Sequence, residues 1–280
     1  MSNWRQTDRK LRCWGVLAVA VSALLACAGW SAESKPESNA VPPVTPAPAT
    51  QTPPAFRLKP GFRLELVAAE PMVIAPVAMA FDENGRLFVV EQPEAAAGSG
   101  TNAPAGRIRL LEDPEGEGKF RTSKVYADNL PQASAIACYG GGVFVMASSN
   151  LLYLKDSKTN GIADVRNVIF GGFPGRNRLG ATAFPNNFNW GLDNQVHAAS
   201  AGVAGLVPAS SAPDAPLVSL TRADFAFDPH ALTVCAEAGP AESGLCFDDW
   251  GRKFTCDGLR PLRSPRYEPR YLARNPSFPA

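Results

Sequence analysis

Histidine is nearly absent from this 280-residue chain, which has only His197 and His230. That inventory excludes an HExxH zinc helix, a mixed Cys/His zinc cluster and a CxxCH haem attachment. A glycine-rich phosphate loop of either common type is missing as well. No segment beyond the N-terminus sustains a capped apolar period of 3.6 residues, which argues against a helical bundle. Charge of one sign is also lacking. Lys plus Arg number 27 against 26 Asp plus Glu, with a pI near 7.6, which excludes a nucleic-acid binder working through a basic surface. What the chain has is turn-forming residues. It carries 24 Gly and 26 Pro, together about 18% of the chain, against a usual level of about 12%.

The N-terminus reads as an address. Arg5, Arg9, Lys10 and Arg12 precede an apolar run from Gly15 to Ala28. That run is shorter than the ~20 apolar residues a spanning helix needs, so it matches a secretory leader. Ala26-Cys27-Ala28 fits a small-x-small cleavage site. Leu24-Leu25-Ala26-Cys27 fits a lipoprotein signal acylated at Cys27, and an uncleaved anchor is the third reading. All three export the chain to a periplasmic, cell-surface or membrane-anchored location, with membrane contact expected only through the N-terminus. Without residues 1–28, 23 basic residues stand against 25 acidic ones, a net −2. Residues 29–55 follow as a spacer: Pro36, Pro42, Pro43, Pro46, Pro48, Pro53 and Pro54 alternate with Ser, Thr and Ala, a composition that stays extended and buries no core.

Residues 56–280 repeat. Four segments share an apolar strand, a tight polar turn and a second apolar strand: Ala78 to Glu91, Ala135 to Ala147, Phe188 to Ala199 and Gly244 to Cys256. Their turns hold the Asp, Asn and Gly that hairpins require. Phe88, Phe144, His197 and Phe254, one per second strand, are 56, 53 and 57 residues apart. A period of that size carrying a β-hairpin predicts an all-β propeller. Further strands are predicted at Phe62 to Val67, Gly106 to Glu112, Leu151 to Lys155, Val165 to Phe170 and Thr221 to Asp228, with irregular insertions at Ala95 to Ala105 and Gly202 to Pro216. The 225 residues from Phe56 onward accommodate about four blades, where propellers run from four to eight. The expected fold is therefore an all-β propeller of about four blades, incomplete if the full ring has more, with Phe62 to Val67 as the strand that would close a last blade.

Several residues are candidates for chemistry. Asp113, Glu115 and Glu117 alternate with glycines in a loop that resembles a worn calcium loop, and Asp156, Asn160, Gly161 and Asp164 form a second. A plain glycine-containing turn is the alternative for both. Asp82, Asp193 and Asp248 are expected to hold their hairpin turns through side-chain to backbone bonds. With Asp248 and Gly251 as turn ends, Cys246 faces Lys253, so Cys246 and Cys256 point to opposite faces. Buried free thiols are then expected, although export permits disulfides.

The runs from Gly61 to Glu91, Gly106 to Phe120, Leu151 to Asp156, Asn186 to Asn194 and Phe247 to Cys256, with Arg270 to Pro276, together resemble one family. It is the family of membrane-bound dehydrogenases of planctomycete and verrucomicrobial type, whose propeller is similar to that of quinoprotein glucose and sorbosone dehydrogenases. The likeness covers Phe56 to the C-terminus and implies about six blades, so that this chain reads as truncated. It implies oxidation of a sugar or alcohol with pyrroloquinoline quinone as cofactor, calcium as a further one, and a redox partner such as a cytochrome c. The family's catalytic histidine corresponds to Ala183, between Thr182 and Phe184, so no catalytic residue is assigned. His197, in the second strand of its hairpin, is expected to be a packed or rim residue. The ligand-binding candidates are Glu91, Arg176, Arg178, Asn187, Asn189 and Trp190, with Asn186 beside them. Amides and an indole suit a sugar-like or quinone-like ligand, and turn capping and core packing are the alternative roles. A glycan- or protein-binding propeller without catalysis, and a remnant without function, are the competing readings.

Overall fold

The computed structural model describes residues 56–93, 105–175, 183–203 and 205–268, together with Tyr271, Arg274 and Ser277. All belong to one unit, Thr50–Ala280. Its architecture is all-β and propeller-like, with sixteen strands among the described residues. Blade 1 is β1 (Pro76–Phe81), β2 (Leu87–Glu91), β3 (Arg107–Glu112) and β4 (Thr122–Ala127). Blade 2 is β5 (Ala133–Tyr139), β6 (Gly142–Ala147), β7 (Asn150–Lys155) and β8 (Val165–Phe170). Each is an antiparallel meander in chain order. Blade 3 is β9 (Asn186–Trp190), β10 (Val196–Ala199), β13 (Ala223–Asp228) and β14 (Thr233–Ala238). A small hairpin, β11 (Leu206–Pro208) with β12 (Leu217–Ser219), is inserted between its second and third strands. A fourth hairpin, β15 (Ser243–Phe247) with β16 (Lys253–Cys256), follows, and Thr255 bridges onward to Arg263. The first strands of successive blades, β1, β5, β9 and β15, lie side by side.

All four predicted hairpins form, and their turns are of two kinds. Tyr139 pairs with Gly142 across Gly140 and Gly141, both at positive φ, the mirror-image two-residue turn that glycine permits. The turns after β1 and β15 are one residue longer. In each, an aspartate N–H bonds to the carbonyl four residues on (Asp82 to Arg86, Asp248 to Arg252), and a glycine at φ near +75 closes the loop. Asp82 and Asp248 hold these turns as expected: each Oδ1 accepts the backbone amides two and four residues on, and each Oδ2 accepts from the Arg86 or Arg252 side chain. The extra turn residue corrects the expected register of the last hairpin. Cys246 faces Phe254, not Lys253. A slip of one residue reverses every side chain, so Cys246 and Cys256 share a face. The four described cysteines are free thiols, but they are not buried as expected: Cys235 and Cys246 are exposed, and Cys138 and Cys256 are half-buried. Burial pushes Cys138 up to about 12.

Strict alternation gives the middle blade two buried faces. From β6, Phe144 and Met146 pack toward blade 3 with Phe225, Phe227 and Val196, while Val143 and Val145 pack toward blade 1 with Phe88, Ile108 and Leu110. The Phe144 and Phe227 rings meet edge to face at 5.2 Å. Each such side chain contributes about 1.5–3 kcal/mol by leaving water. Side-chain to backbone bonds then tie the start of one blade to the next. Gln92 Nε2 donates to Ala133 O at 2.5 Å, Ser134 Oγ to Pro185 O at 2.7 Å and Asn186 Nδ2 to Glu242 O at 3.2 Å.

Two predicted elements differ. Phe62 to Val67 forms no strand, and Phe62 is 70% exposed. A strand needs a neighbour for its N–H and C=O groups, and none lies beside it among the described residues. The insertion from Gly202 to Pro216 is not wholly irregular. Val207 and Val218 pair across β11 and β12, and Val207 and Leu220 are buried against blades 2 and 3. The other insertion, Ala95 to Ala105, lies outside the described residues except for Ala105.

Phe227→Ala should cost about 3–5 kcal/mol by urea denaturation, because it opens a cavity between two blades. Phe62→Ser should stay within about 0.5 kcal/mol, as an exposed site does. A large loss in Phe62→Ser would show that this segment has a packed partner.

Candidate functional site

The junction between blade 3 and the fourth hairpin is built differently from the other two. The blade 3 side chains pointing there include His197, Asp224 and Glu237, and β16 answers with Lys253. Lys253 Nζ lies 2.9 Å from Asp224 Oδ2 and 3.2 Å from Glu237 Oε2. Glu237 Oε1 lies 2.7 Å from His197 Nδ1, and Asp193 Oδ1 lies 3.0 Å from His197 Nε2. The result is a chain of alternating charge, Asp193, His197, Glu237, Lys253, Asp224. Asp224 is fully buried, and its Oδ1 accepts the N–H groups of Ser200 and Ala241. The His197–Glu237 and Lys253–Asp224 contacts are close, but neither Nδ1 nor Oδ2 has a well-aligned hydrogen-bond partner. Both are therefore ion pairs, held by charge more than by direction.

His197 occupies the position that Phe88, Phe144 and Phe254 hold in the other hairpins. Each pairs with an inner-strand residue: His197 with Asn189, Phe88 with Ala80, Phe144 with Ala137 and Phe254 with Cys246. The ring still packs as an aromatic there, 4.7 Å from the Phe247 ring. Gly191 stands where blade 1 and the fourth hairpin have their turn-opening Asp82 and Asp248. A Cβ on Gly191 would lie 2.3 Å from His197 Nε2 and 2.4 Å from Asp193 Oδ1. The missing side chain therefore makes room for the Asp193–His197 contact. Asp193 also accepts the Gln195 N–H, so it holds its turn as expected, two positions later than its counterparts.

Burial works against the His197 imidazolium, but the carboxylates of Glu237 and then Asp193 outweigh it, and its pKa is raised. Burial likewise disfavours the Glu237 charge, yet His197 and Lys253 hold its pKa below the ordinary carboxylate range. All of the cluster but Asp224 lines an open cleft of about 640 Å³, whose rim includes Gln195, Arg252, Arg266 and Tyr267.

The other sequence candidates lie elsewhere. Glu91 is buried and does not line a mouth: it accepts the Ile74 N–H at 2.6 Å and ion-pairs with Arg107 at 2.5 Å and Arg109 at 3.4 Å. Asn189 Nδ2 donates to Leu245 O at 2.6 Å, and the Asn187 side chain, with its amide turned over, accepts from the Gly244 and Leu245 N–H groups. These amides join β9 to β15. Trp190 pairs with Val196 beside the turn, whereas Asn186 pairs with Ala199 at the far end of the hairpin. The indole and the Asn187 amide thus lie toward opposite ends of β9. Trp190 instead contacts the Tyr139 ring at 6.0 Å. Arg176 and Arg178 lie outside the described residues.

In the first acidic loop Asp113 Oδ2 accepts the Gly118 and Lys119 amides, while Glu115 and Glu117 both pair with Arg121. In the second, Asp156 accepts from Lys158 and Gly161, and Ser157 holds Asp164 at about 2. These carboxylates turn to protein donors. Among the described residues no three His, Cys, Asp or Glu side chains group as a metal site.

The blades and their order define a propeller-like protein of the all-β class. Residues 49–280 match the family described as a domain of unknown function, DUF7133, and the chain belongs to that family. A search of curated proteins finds no match. Among solved structures, the chain is similar to the holo form of the pyranose dehydrogenase PQQ domain from Coprinopsis cinerea, with 14% identity and a TM-score of 0.48 over 76% of this chain and 49% of that one. It is also similar to an iodide structure of the Trichoderma reesei Carbohydrate-Active Enzymes Family AA12, with 14% identity and a TM-score of 0.38 over 60% and 39%. A protein from Lactobacillus plantarum matches at 10% identity and a TM-score of 0.35 over 69% and 70%. The chain therefore spans about half the length of the pyranose dehydrogenase domain.

The ion chain gives stability a defined pH response. The His197 contribution is complete below its ordinary pKa, about 6.5, and is lost as pH rises through the raised folded value. The Glu237 contribution is complete above about pH 4.3 and is lost as pH falls through the depressed folded value. Urea unfolding should therefore show this junction at its strongest between about pH 4.3 and 6.5, and His197→Gln should flatten the alkaline side. Lys253→Met leaves Asp224 buried without its cation and should cost about 3–5 kcal/mol, with part of that loss recovered in a Lys253→Met/Asp224→Asn pair, whose amide oxygen still accepts the Ser200 and Ala241 N–H groups.

Proposed function

We propose that this chain is a dehydrogenase-like propeller that takes a sugar or glycan in the cleft beside His197 and, with the residues it carries, binds that ligand without oxidising it. One observation carries the reading. His197 has carboxylate oxygens within 3.0 Å of both ring nitrogens and a raised pKa. A base that removes a hydroxyl proton must be neutral and have a free lone pair in reach of that proton. With a carboxylate oxygen against each ring nitrogen, His197 has no free lone pair turned to a ligand hydroxyl. His230, at an exposed turn, donates its backbone N–H to Asp228 and does not line the cleft.

The cleft suits a polyhydroxylated ligand. It is within the range of small-ligand sites in volume. Gln195, Asp193 and Arg252 set hydrogen-bonding groups of both kinds around it, and Tyr267 adds an aromatic side chain to the rim.

Pyrroloquinoline quinone, a polycarboxylate, does not fit the same wall. It would need several cations without carboxylate partners, but Lys253 is paired with Asp224 and Glu237, and Arg252 with Asp248, which among the described residues leaves Arg266 at the rim. Asp193, Glu237 and Glu268 would add repulsion. Calcium finds no converging carboxylates among the described residues. The basic and apolar start of the chain, followed by its Pro-rich stretch, supports export as part of the proposal.

The test pairs binding with redox activity. Calorimetry against a panel of neutral mono- and oligosaccharides should find a ligand, and Tyr267→Ala and Gln195→Ala should each weaken it about five- to tenfold, about 1–1.4 kcal/mol. The protein supplied with pyrroloquinoline quinone, calcium and an acceptor dye should reduce no dye with any sugar. Sugar-dependent dye reduction that is lost in His197→Gln would overturn the reading.

A further inference from the structure

A second cleft, of about 770 Å³, lies on the other side of the segment from Ser264 to Tyr267. The two share that segment together with Ala236 and Ala238 of β14. Their charges differ. Asp193, Glu237 and Glu268 line the first cleft. The second is lined by Arg222, Arg260, Arg263 and Arg266, with hydroxyl groups from Ser219, Thr221 and Ser264, and among the described residues no aspartate or glutamate lines it. Arg263 is fixed in its wall, because its Nη1 donates to Pro240 O at 3.0 Å and reaches Asp257 Oδ2 at 3.2 Å. Pro240 follows Gly239, whose backbone lies against Asp224: a Cβ there would be 2.5 Å from the Asp224 carboxyl carbon. The arginine wall is thus anchored to the same buried aspartate that ends the ion chain of the first cleft.

Arg263, paired with Asp257, is part of the wall, while Arg260 and Arg266 from the same stretch of chain and Arg222 from another set guanidinium groups beside hydroxyls, a donor set for an oxyanion. Guanidinium meets sulfate or carboxylate oxygens through paired N–H bonds that an ammonium cannot reproduce. We propose that this cleft binds the anionic substituent, a sulfate ester or a uronate carboxylate, of an acidic carbohydrate whose uncharged part occupies the cleft beside His197. This rests on the carbohydrate reading above and narrows it from sugars in general to acidic ones. Tyr267 and Arg266, which face both clefts, are where the two parts of one ligand meet.

Arg222 and Arg260 line only the second cleft and are exposed, so their substitution leaves the core intact. The experiment measures binding of a sulfated oligosaccharide, its unsulfated parent and inorganic sulfate by calorimetry. It uses the whole chain, the Arg222→Gln/Arg260→Gln double variant and Arg260→Lys, each checked for an unchanged cooperative melt. The sulfated sugar should bind about tenfold more tightly than its parent, as charge-assisted bonds of this kind allow. That preference should fall below about threefold in the double variant and recover only in part in Arg260→Lys, with affinity for the parent unchanged. Equal binding of charged and uncharged sugars, or a preference the double variant keeps, overturns the inference and leaves the carbohydrate reading standing. If neither sugar binds, the carbohydrate reading fails. Inorganic sulfate then decides the arginine cleft alone: saturable binding lost in the double variant supports an anion site, and its absence overturns it.

Discussion

A blade placed between two others has no face left for water, and the rest of this structure follows from that constraint. Every side chain of β6 is buried, so its alternate residues serve two different neighbours: Phe144 and Met146 one way, Val143 and Val145 the other. Polar groups in such a strand would need a partner in the next blade at each position. Blades 1, 2 and 3 meet this constraint with hydrocarbon. Polar ties between them come from side chains such as Gln92 and Ser134, which bond a neighbour's carbonyl where one blade hands over to the next, and Tyr126, whose hydroxyl donates to Leu154 O.

The junction of blade 3 with the fourth hairpin meets the same constraint with charge. One substitution in the repeat sets this off: an imidazole stands in the slot that phenylalanine fills elsewhere. The ring keeps its aromatic packing on Phe247 but brings two nitrogens into a nearly dry place. Glu237 and Asp193 answer them, and Lys253 then answers Glu237 and Asp224. Gly191 is part of the same solution, because the aspartate usual at that turn position would collide with the pair. An ion chain of this kind contributes less than hydrocarbon would and costs more when broken. It also borders an open, polar cleft, and Asp193, His197, Glu237 and Lys253 line it.

Two clefts of opposite charge share the wall from Ser264 to Tyr267. An acidic and an arginine-rich lobe on one groove discriminate by charge as well as by shape. The ligand proposed above would bring hydroxyl groups to the first and an oxyanion to the second.

The repeat was legible in the sequence because it rests on local rules. Alternating apolar residues, and Asp and Gly at the turns, specify a hairpin wherever they occur, so four hairpins and most of the remaining strands were readable residue by residue. Glycine at φ near +75 was readable as a turn but not as the extra residue that shifts Cys246 onto Phe254, since register depends on which carbonyl the turn amide finds. Phe62 to Val67 shows the opposite limit: an alternating pattern describes a strand only when a partner is present. The site was the least legible part. Asp193 and His197 are four residues apart and belong to one hairpin, but Asp224, Glu237 and Lys253 come from three other strands. No spacing rule links them. By itself the sequence determined the blades, their turns and the aromatic slot that His197 fills, because each depends on neighbours along the chain. Only the tertiary structure decided that Glu91 is buried, that Asn187 and Asn189 join two strands, and that five charges line up beside a cleft, because those contacts depend on which faces meet when one blade packs on the next.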